Sequence, residues 1–279
     1  MKKIQVLSLL MLIVLGGQAQ DLTSKRGENF LPEPGEWAIG LDASPFLNFA
    51  GNLFNSENSS PQALYINNIN TFYGKMFFED QKAYRAKVRI GFNNMTNRES
   101  VEDANDPSIE VTDKEKISST FIGLGAGVEN RRGNSRLQGL FGAEAFLWFS
   151  GSKVTYEYGN SLSADNQSND NVFNSDLNDV TELSIGSTVG VQLRGFIGAE
   201  YFILPKISLG AEYGWGLTFS RTADGERISQ FWNDNSGEAE TSSTSLAGNS
   251  SVSVDTDINN SSAVAGDLGN ISLTALFHF

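Results

Sequence analysis

The sequence contains no cysteine and a single histidine, His278. Without thiols it can form neither a disulfide nor a thiolate metal centre, and it offers no site for a thioether-linked lipid. One histidine at the extreme C-terminal end is a poor start for Ser-His or Asp-His chemistry, which needs a base beside a nucleophile or a water. Basic residues are scarce, with 20 Lys and Arg against 33 Asp and Glu and a formal net charge of -13. A nucleic-acid partner, which needs a basic footprint, is therefore not expected. Long apolar runs are missing too. Beyond the first residues no segment approaches the ~20 apolar positions of a membrane-spanning helix.

The first residues are the exception. Lys2 and Lys3 precede the short apolar stretch Val6–Leu15, and Gly17-Gln18-Ala19 places small residues where a signal peptidase would cut before Gln20. Residues 1–19 read as a secretory signal and 20–35, with Pro32 and Pro34, as a polar lead-in in the periplasm. The domain proper is expected over residues 36–279.

What is present is alternation. From Leu183 to Phe219 two long strands flank a tight turn at Leu204-Pro205. In the second, Ile207, Leu209, Ala211, Tyr213, Trp215, Leu217 and Phe219 share one face, while Ser208, Gly210, Glu212, Gly214, Gly216 and Thr218 share the other. Strict period two over such a length exceeds the usual soluble strand. It suits a strand with lipid on one side and a polar lumen on the other. The same pattern predicts strands over 36–43, 67–78, 83–93, 116–129, 136–149, 183–202, 207–220 and 268–279. Short connections at 79–82, 130–135 and 203–205 alternate with long ones at 44–66, 94–115, 150–182 and 221–267. An all-β, eight-stranded antiparallel transmembrane β-barrel with short periplasmic turns and four long extracellular loops follows from that rhythm. Its place would be the outer membrane of a diderm bacterium, with both termini periplasmic.

Gly-Ala-Glu occurs at Gly142–Glu144, Gly198–Glu200 and Gly210–Glu212, with Gly127-Val128-Glu129 as a near copy. Each motif points a Glu inward beside a Gly. An inward carboxylate needs a cation, because an unpaired charge in a narrow interior is costly. Arg85, Lys87, Arg89, Arg136 and Arg194 lie on inward faces. With Glu144, Glu200 and Glu212 they are expected to form a lumen ion-pair network that plugs the interior. Read this way the carboxylates are filler rather than a general acid and base, and no catalytic, cofactor or metal site is assigned. The loop acids Asp165, Asp170, Asp176, Asp179, Asp255 and Asp257 match no calcium-loop spacing and read as solvated, mutually repelling surface.

Aromatics mark the remaining features. Trp37, Tyr84, Trp148, Tyr201, Phe202 and Phe219 fit two interfacial girdles. Phe46, Phe49 and Leu53 recur at helical spacing after Ser44-Pro45, predicting a short amphipathic helix in the first loop. Ile228, Phe231 and Trp232 form an apolar island in the last loop. Both groups are candidate contacts for other outer-membrane proteins.

On Phe196–Tyr201 and its sister motifs, the long–short rhythm and the terminal aromatic strand, the chain resembles the OmpA-like and OmpX-like outer-membrane β-barrel family over residues 36–279. The resemblance implies outer-membrane lipid and the barrel-assembly machinery as partners. It implies that Ile271, Leu273, Phe277 and Phe279 carry the assembly signal. The peptidoglycan-binding domain of the OmpA pattern is not expected here. Family members serve as structural proteins, adhesins and assembly subunits, so a non-enzymatic structural or surface-interaction role is expected, or that of an accessory subunit in a larger machine. We predict that Phe279→Asp lowers membrane insertion in cells while leaving refolding in detergent intact. Equal insertion of variant and parent, scored by protease protection, would remove Phe279 from the signal.

Overall fold

The computed structural model describes residues 22–42, 70–256 and 272–279. Ile271 and the group Phe46, Phe49 and Leu53 lie outside them, as does the whole expected first-loop helix. Among the described residues twelve strands are formed: β1 (Trp37–Asp42), β2 (Asn70–Glu79), β3 (Lys82–Glu102), β4 (Glu110–Arg132), β5 (Leu137–Glu157), β6 (Val180–Ser184), β7 (Thr188–Leu204), β8 (Ile207–Thr222), β9 (Gly225–Asn233), β10 (Glu238–Leu246), β11 (Asn249–Thr256) and β12 (Ser272–His278). Every pairing is antiparallel. Eight strands close a ring in the order β1-β2-β3-β4-β5-β7-β8-β12, with β12 returning onto β1. The closing register sets Ala38 opposite His278 and Asp42 opposite Thr274.

The alternation decides which side chain goes where. Pleated backbone sends successive residues to opposite faces. In β8, Ser208, Gly210, Glu212, Gly214, Gly216 and Thr218 are buried, while Ala211, Trp215 and Phe219 are exposed. The same split runs around the ring, and it is inverted relative to a soluble core. Arg85, Lys87, Arg194 and Glu200 are buried, whereas Leu124 is 57% exposed and Leu193 52% exposed. Two expected girdle aromatics belong to the buried face. Trp148 stacks on Phe146 inside the ring, and Phe202 lies inside beside His278. Their even numbers put them in phase with Glu144 and Glu200, and strand parity outweighs any pull of an indole or phenyl toward an interface. Trp37, Tyr84 and Phe219 do face outward.

The turn end is compact. Asp80-Gln81, Gly133–Arg136 and Pro205-Lys206 join adjacent strands, Lys206 taking a positive φ of 65°. At the other end the strands outgrow the loops expected from the sequence. The stretch 94–115 is not a loop. β3 and β4 stay paired out to Glu102 opposite Glu110, leaving a connection of residues 103–109. β5 continues to Glu157, in line with the alternation that Lys153–Tyr158 keep in the sequence. Leu183 belongs to the separate strand β6, and the next ring strand starts only at Thr188. Within the expected loop, 221–222 finish β8 and residues 225–256 carry β9, β10 and β11 instead of an irregular chain. Polar Ser/Thr strands show weak alternation against water on both sides, which is why their period is hard to read. β11 and β12 lie end to end along β8: Thr256 faces Trp215 and Ser272 faces Glu212, with residues 257–271 intervening. The final strand thus continues a line along β8 that begins well before 268.

The Asn/Asp/Ser tract after β5 is packed around its asparagines and Asp179, while Asp165, Asp170 and Asp176 are exposed. Asn169 and Asn171 are buried, at 5% and 4% exposure. The Asn171 side chain accepts from the backbone N–H of Phe173 and Asn174 and donates to the Leu177 carbonyl. Asp179 accepts from the Asn169 N–H at 2.6 Å and from Ser168. Asn and Asp side chains replace a regular ladder here by bonding nearby backbone. Burial pushes the Tyr158 hydroxyl up to about 12. It therefore stays protonated near neutrality and donates to the Val180 carbonyl at 2.9 Å. We predict that Asn171→Ala eases local opening of residues 160–179 by roughly 2 kcal/mol, with the ring unchanged. Faster amide exchange confined to that stretch is the expected readout, and unchanged exchange there would refute the keystone role.

Candidate functional site

The interior of the ring holds one connected group of charges. Five basic side chains, Lys75, Arg85, Lys87, Arg131 and Arg194, meet four carboxylates, Glu129, Glu144, Glu200 and Glu212. Arg85 Nη2 donates to Glu212 at 2.9 Å, and Nη1 lies 2.9 Å from the other carboxylate oxygen as an ion-pair contact. Arg85 also lies 3.4 Å from Glu129 and 3.8 Å from Glu144. Lys75 bridges Glu129 and Glu200 at 2.8 and 2.9 Å. Arg131 reaches Glu200 at 2.9 Å, and Arg194 reaches Glu144 at 2.8 Å. Lys87 donates to Glu144.

The Gly-x-Glu motifs are the local reason this fits. They interlock across strands. In the β4–β5 pair Gly127 faces Glu144 and Glu129 faces Gly142. In the β7–β8 pair Gly198 faces Glu212 and Glu200 faces Gly210. Each Glu therefore rises beside a residue that has no side chain. A Cβ on Gly127 would lie 2.6 Å from the Glu144 Cβ and 2.5 Å from the Ala143 carbonyl oxygen. One on Gly198 would lie 2.4 Å from the Ala211 carbonyl oxygen. Any side chain there would collide with the neighbouring strand.

Aromatic rings fill the space between charges. The Phe196 ring has Arg85 4.1 Å and Arg194 5.6 Å from its centroid. Arg131 lies over Phe77 and Phe202, and Lys87 over Tyr73. A guanidinium over a ring face gains electrostatic attraction while the ring excludes water. Toward the long end Phe121, Phe146 and Trp148 form a buried cluster above the charges. Toward the turn end Phe77, Ala83, Ala38 and Leu276 close the interior.

Of the eight network residues expected from sequence, Arg85, Lys87, Glu144, Arg194, Glu200 and Glu212 come together. Arg89 lies higher, half-buried, its guanidinium 5.9 Å from the Phe121 ring. Arg136 is not on an inward strand face. It sits in the turn before β5, 3.5 Å over the Phe30 ring. Three members were not assigned from sequence. Lys75 is in phase with inward Tyr73 and Phe77, and Glu129 sits in the fourth Gly-x-Glu copy, so both carried a signal. Arg131 was expected in a turn, but β4 runs through Arg132 and turns Arg131 inward. Ile228, Phe231 and Trp232 lie on β9, paired with Ser243, Glu240 and Ala239 of β10, rather than as a loop island. Leu273 and Phe277 are on β12, with Phe277 and Phe279 exposed.

The lead-in also has a role that its composition hid. Phe30 and Pro32 are buried, and Gly35 and Glu36 exchange backbone hydrogen bonds with Phe77. Glu36 pairs with Lys206. Residues 22–36 thus lie across the turn end, beside a cavity of about 370 Å³ lined by Leu22, Leu31, Pro32, Asp80 and Gln138.

Chemically the interior is sealed. Ser208, His278 and Glu200 meet, with Ser208 Oγ 3.0 Å from His278 Nε2 and 2.7 Å from Glu200. Glu200 lies 3.2 Å from that same Nε2. A relay needs the carboxylate on the ring nitrogen opposite the hydroxyl. Both partners here share one nitrogen, and Ser208 and Glu200 have no exposed surface. Among the described residues no group of three or more His, Asp and Glu side chains is placed to hold a metal ion. No helix among them is long and apolar enough to cross a membrane. No protein-family model matches the chain, and no curated protein shows significant sequence similarity to it.

We predict that Glu212→Leu, which leaves Arg85 without its nearest carboxylate, destabilises the ring by about 3 kcal/mol. Adding Arg85→Met should recover most of that loss. Urea unfolding of the detergent-folded protein measures both. Simple additivity of the two changes would refute the network.

Proposed function

We propose that the protein is a non-enzymatic, eight-stranded transmembrane β-barrel of a bacterial outer membrane, with a plugged lumen and an extracellular sheet that serves structure or surface interaction. The observation that carries this reading is the inversion of polarity: leucine, isoleucine, valine and phenylalanine cover the outside of the ring, and charges fill it. In water such an outside would be a very large apolar patch. In lipid it is the required surface, and a closed ring leaves no backbone edge to satisfy. On β5 the outward residues Leu137, Phe141, Leu147 and Phe149 span a rise of about 30 Å at ~3.3 Å per residue and ~40° tilt, close to a bilayer core.

A plugged lumen is supported by the sealed ionic layer and by the narrow interior expected of eight strands. The turn end would face the periplasm, where residues 22–36 lie across it. The long end would then carry the paired extensions of β3, β4 and β5 together with β6, β9 and β10 beyond the bilayer. A rigid, mostly polar sheet of this kind offers surface for contact rather than a path for solutes.

The test is reconstitution of the full chain in planar bilayers, followed by mild extraction from its native membrane. The expected results are no stepwise conductance and a heat-modifiable species resistant to protease in the bilayer. Discrete conductance steps would refute the plugged lumen. A stable protein companion in the extract would replace the stand-alone role with that of a subunit in a larger assembly.

A further inference from the structure

The acidic balance of the chain hides an opposite local pattern. Just beyond the apolar outer face at the long end, the same outward face carries a row of cations. Arg98 on β3 pairs in register with Lys114 on β4, and Lys114 with Glu157 on β5. Lys116 faces Thr155, and Lys153 faces Ser118, on the face that holds Leu124, Leu147 and Phe149 lower down. On the far side of the ring Arg221 faces Val189 and Ser250, one outward step beyond Phe219. Arg98, Lys116, Lys153 and Arg221 are exposed. They lie roughly 7–20 Å along the strands beyond the last large apolar residues.

Three acids share this level and face. Glu157 pairs with Lys114 and Lys116, Glu182 pairs with Lys153 at 2.6 Å, and exposed Glu226 on β9 lies opposite Ser184, which itself faces Lys153. Five cations against three carboxylates still leave an excess of positive charge in a molecule whose formal net charge is -13. Directly opposed like charges such as Arg98 and Lys114 are unfavourable unless an anion sits between them. Exposed ion pairs hold weakly and exchange partners readily. Arg221 also borders an open groove of about 640 Å³ lined by Ser187, Val189, Asn249, Ser250 and the acid Asp224, whose carboxylate accepts from the Gly248 N–H.

On the reading that the ring spans a bilayer, we propose that this outward collar binds the phosphate groups of an anionic lipid in the leaflet around the long end. Lipids carrying more than one phosphate per headgroup would be favoured. The apolar wall below accepts their acyl chains, and the collar stands at headgroup height and above. Long Lys and Arg side chains can lean down toward phosphates while their stems stay on the wall. Charge complementarity selects lipid over a protein partner here, because the cations lie in the zone that headgroups occupy.

The test begins with the full chain folded into phosphatidylcholine vesicles. Protease-resistant insertion there checks the spanning reading by itself, and failure to insert would remove that reading. The inserted protein is then transferred to vesicles with a minor fraction of lipid A, extracted gently, and its retained lipid measured by native mass spectrometry. The expected result is enrichment of lipid A over phosphatidylcholine. The triple variant Lys116→Gln/Lys153→Gln/Arg221→Gln should lose about fivefold of that enrichment, as expected for removing several surface cations. The variant Lys82→Gln/Arg132→Gln, at the turn end, should retain it. Normal insertion with no enrichment, or equal enrichment in the triple variant, overturns the proposal. So does displacement of the lipid by inorganic phosphate at the same phosphate concentration, which would make the collar a site for free anions.

Discussion

A charge inside an eight-stranded ring has no water to fall back on, and the rest of the structure answers to that. Four carboxylates are turned inward, and each must meet a cation at hydrogen-bond distance. Each must also have room, since the wall is close-packed. The reciprocal pairing of Gly127 with Glu144, Gly142 with Glu129, Gly198 with Glu212 and Gly210 with Glu200 supplies the room. Phe196, slotted between Arg85 and Arg194, supplies the low-dielectric filling that strengthens the pairs.

The same charges solve a problem of register. A strand that slips by one residue exchanges its two faces. If both faces were apolar, the slipped and native pairings would differ little. With Arg85, Lys87 and Arg194 on one face and Leu, Ile and Val on the other, a slip would put charge on the outer wall and leave the inner carboxylates without cations. A buried ion pair contributes little net stability, because desolvation offsets its attraction. Its contribution here is to make one pairing far better than its neighbours, and the interlocked Gly and Glu residues add a steric penalty to the same slip.

The two ends of the ring follow different rules. At the turn end space is short, so Lys206 adopts a positive φ, and residues 22–36 lie flat across the opening with Phe30 under Arg136. At the long end the strands keep their pairing after the apolar face has ended. The β3–β4 hairpin, β5 and β6 continue upward as a polar sheet to which β9 and β10 are added. Backbone hydrogen bonds carry this part more than side-chain burial does, because β10 is exposed almost throughout. Cations cluster where the two regimes meet.

Eight ring strands, their inward and outward faces, and six members of the ionic network were legible from sequence, because period two is a local property and each strand declares it alone. The inward phase of Lys75 and the motif around Glu129 were legible in the same way. Other features needed the fold. Arg131 becomes interior only because β4 runs through the basic stretch instead of turning before it. Trp148 and Phe202 are interior because strand parity outranks their preference for an interface. The β5 extension showed in the alternation of Lys153–Tyr158, but the extensions of β3 and β4, the packed Asn171 loop and the alignment of β11 with β12 along β8 depend on backbone partners far away in the chain, and polar strands leave no hydrophobic period to betray them. Which Glu meets which Arg was likewise invisible, since that follows from the ring's closure and stagger. The sequence alone determined the two alternating faces of each ring strand; the tertiary structure decided how far each strand runs and who the inward partners are, because strand ends and partners across a closed sheet are set by register rather than by any single strand.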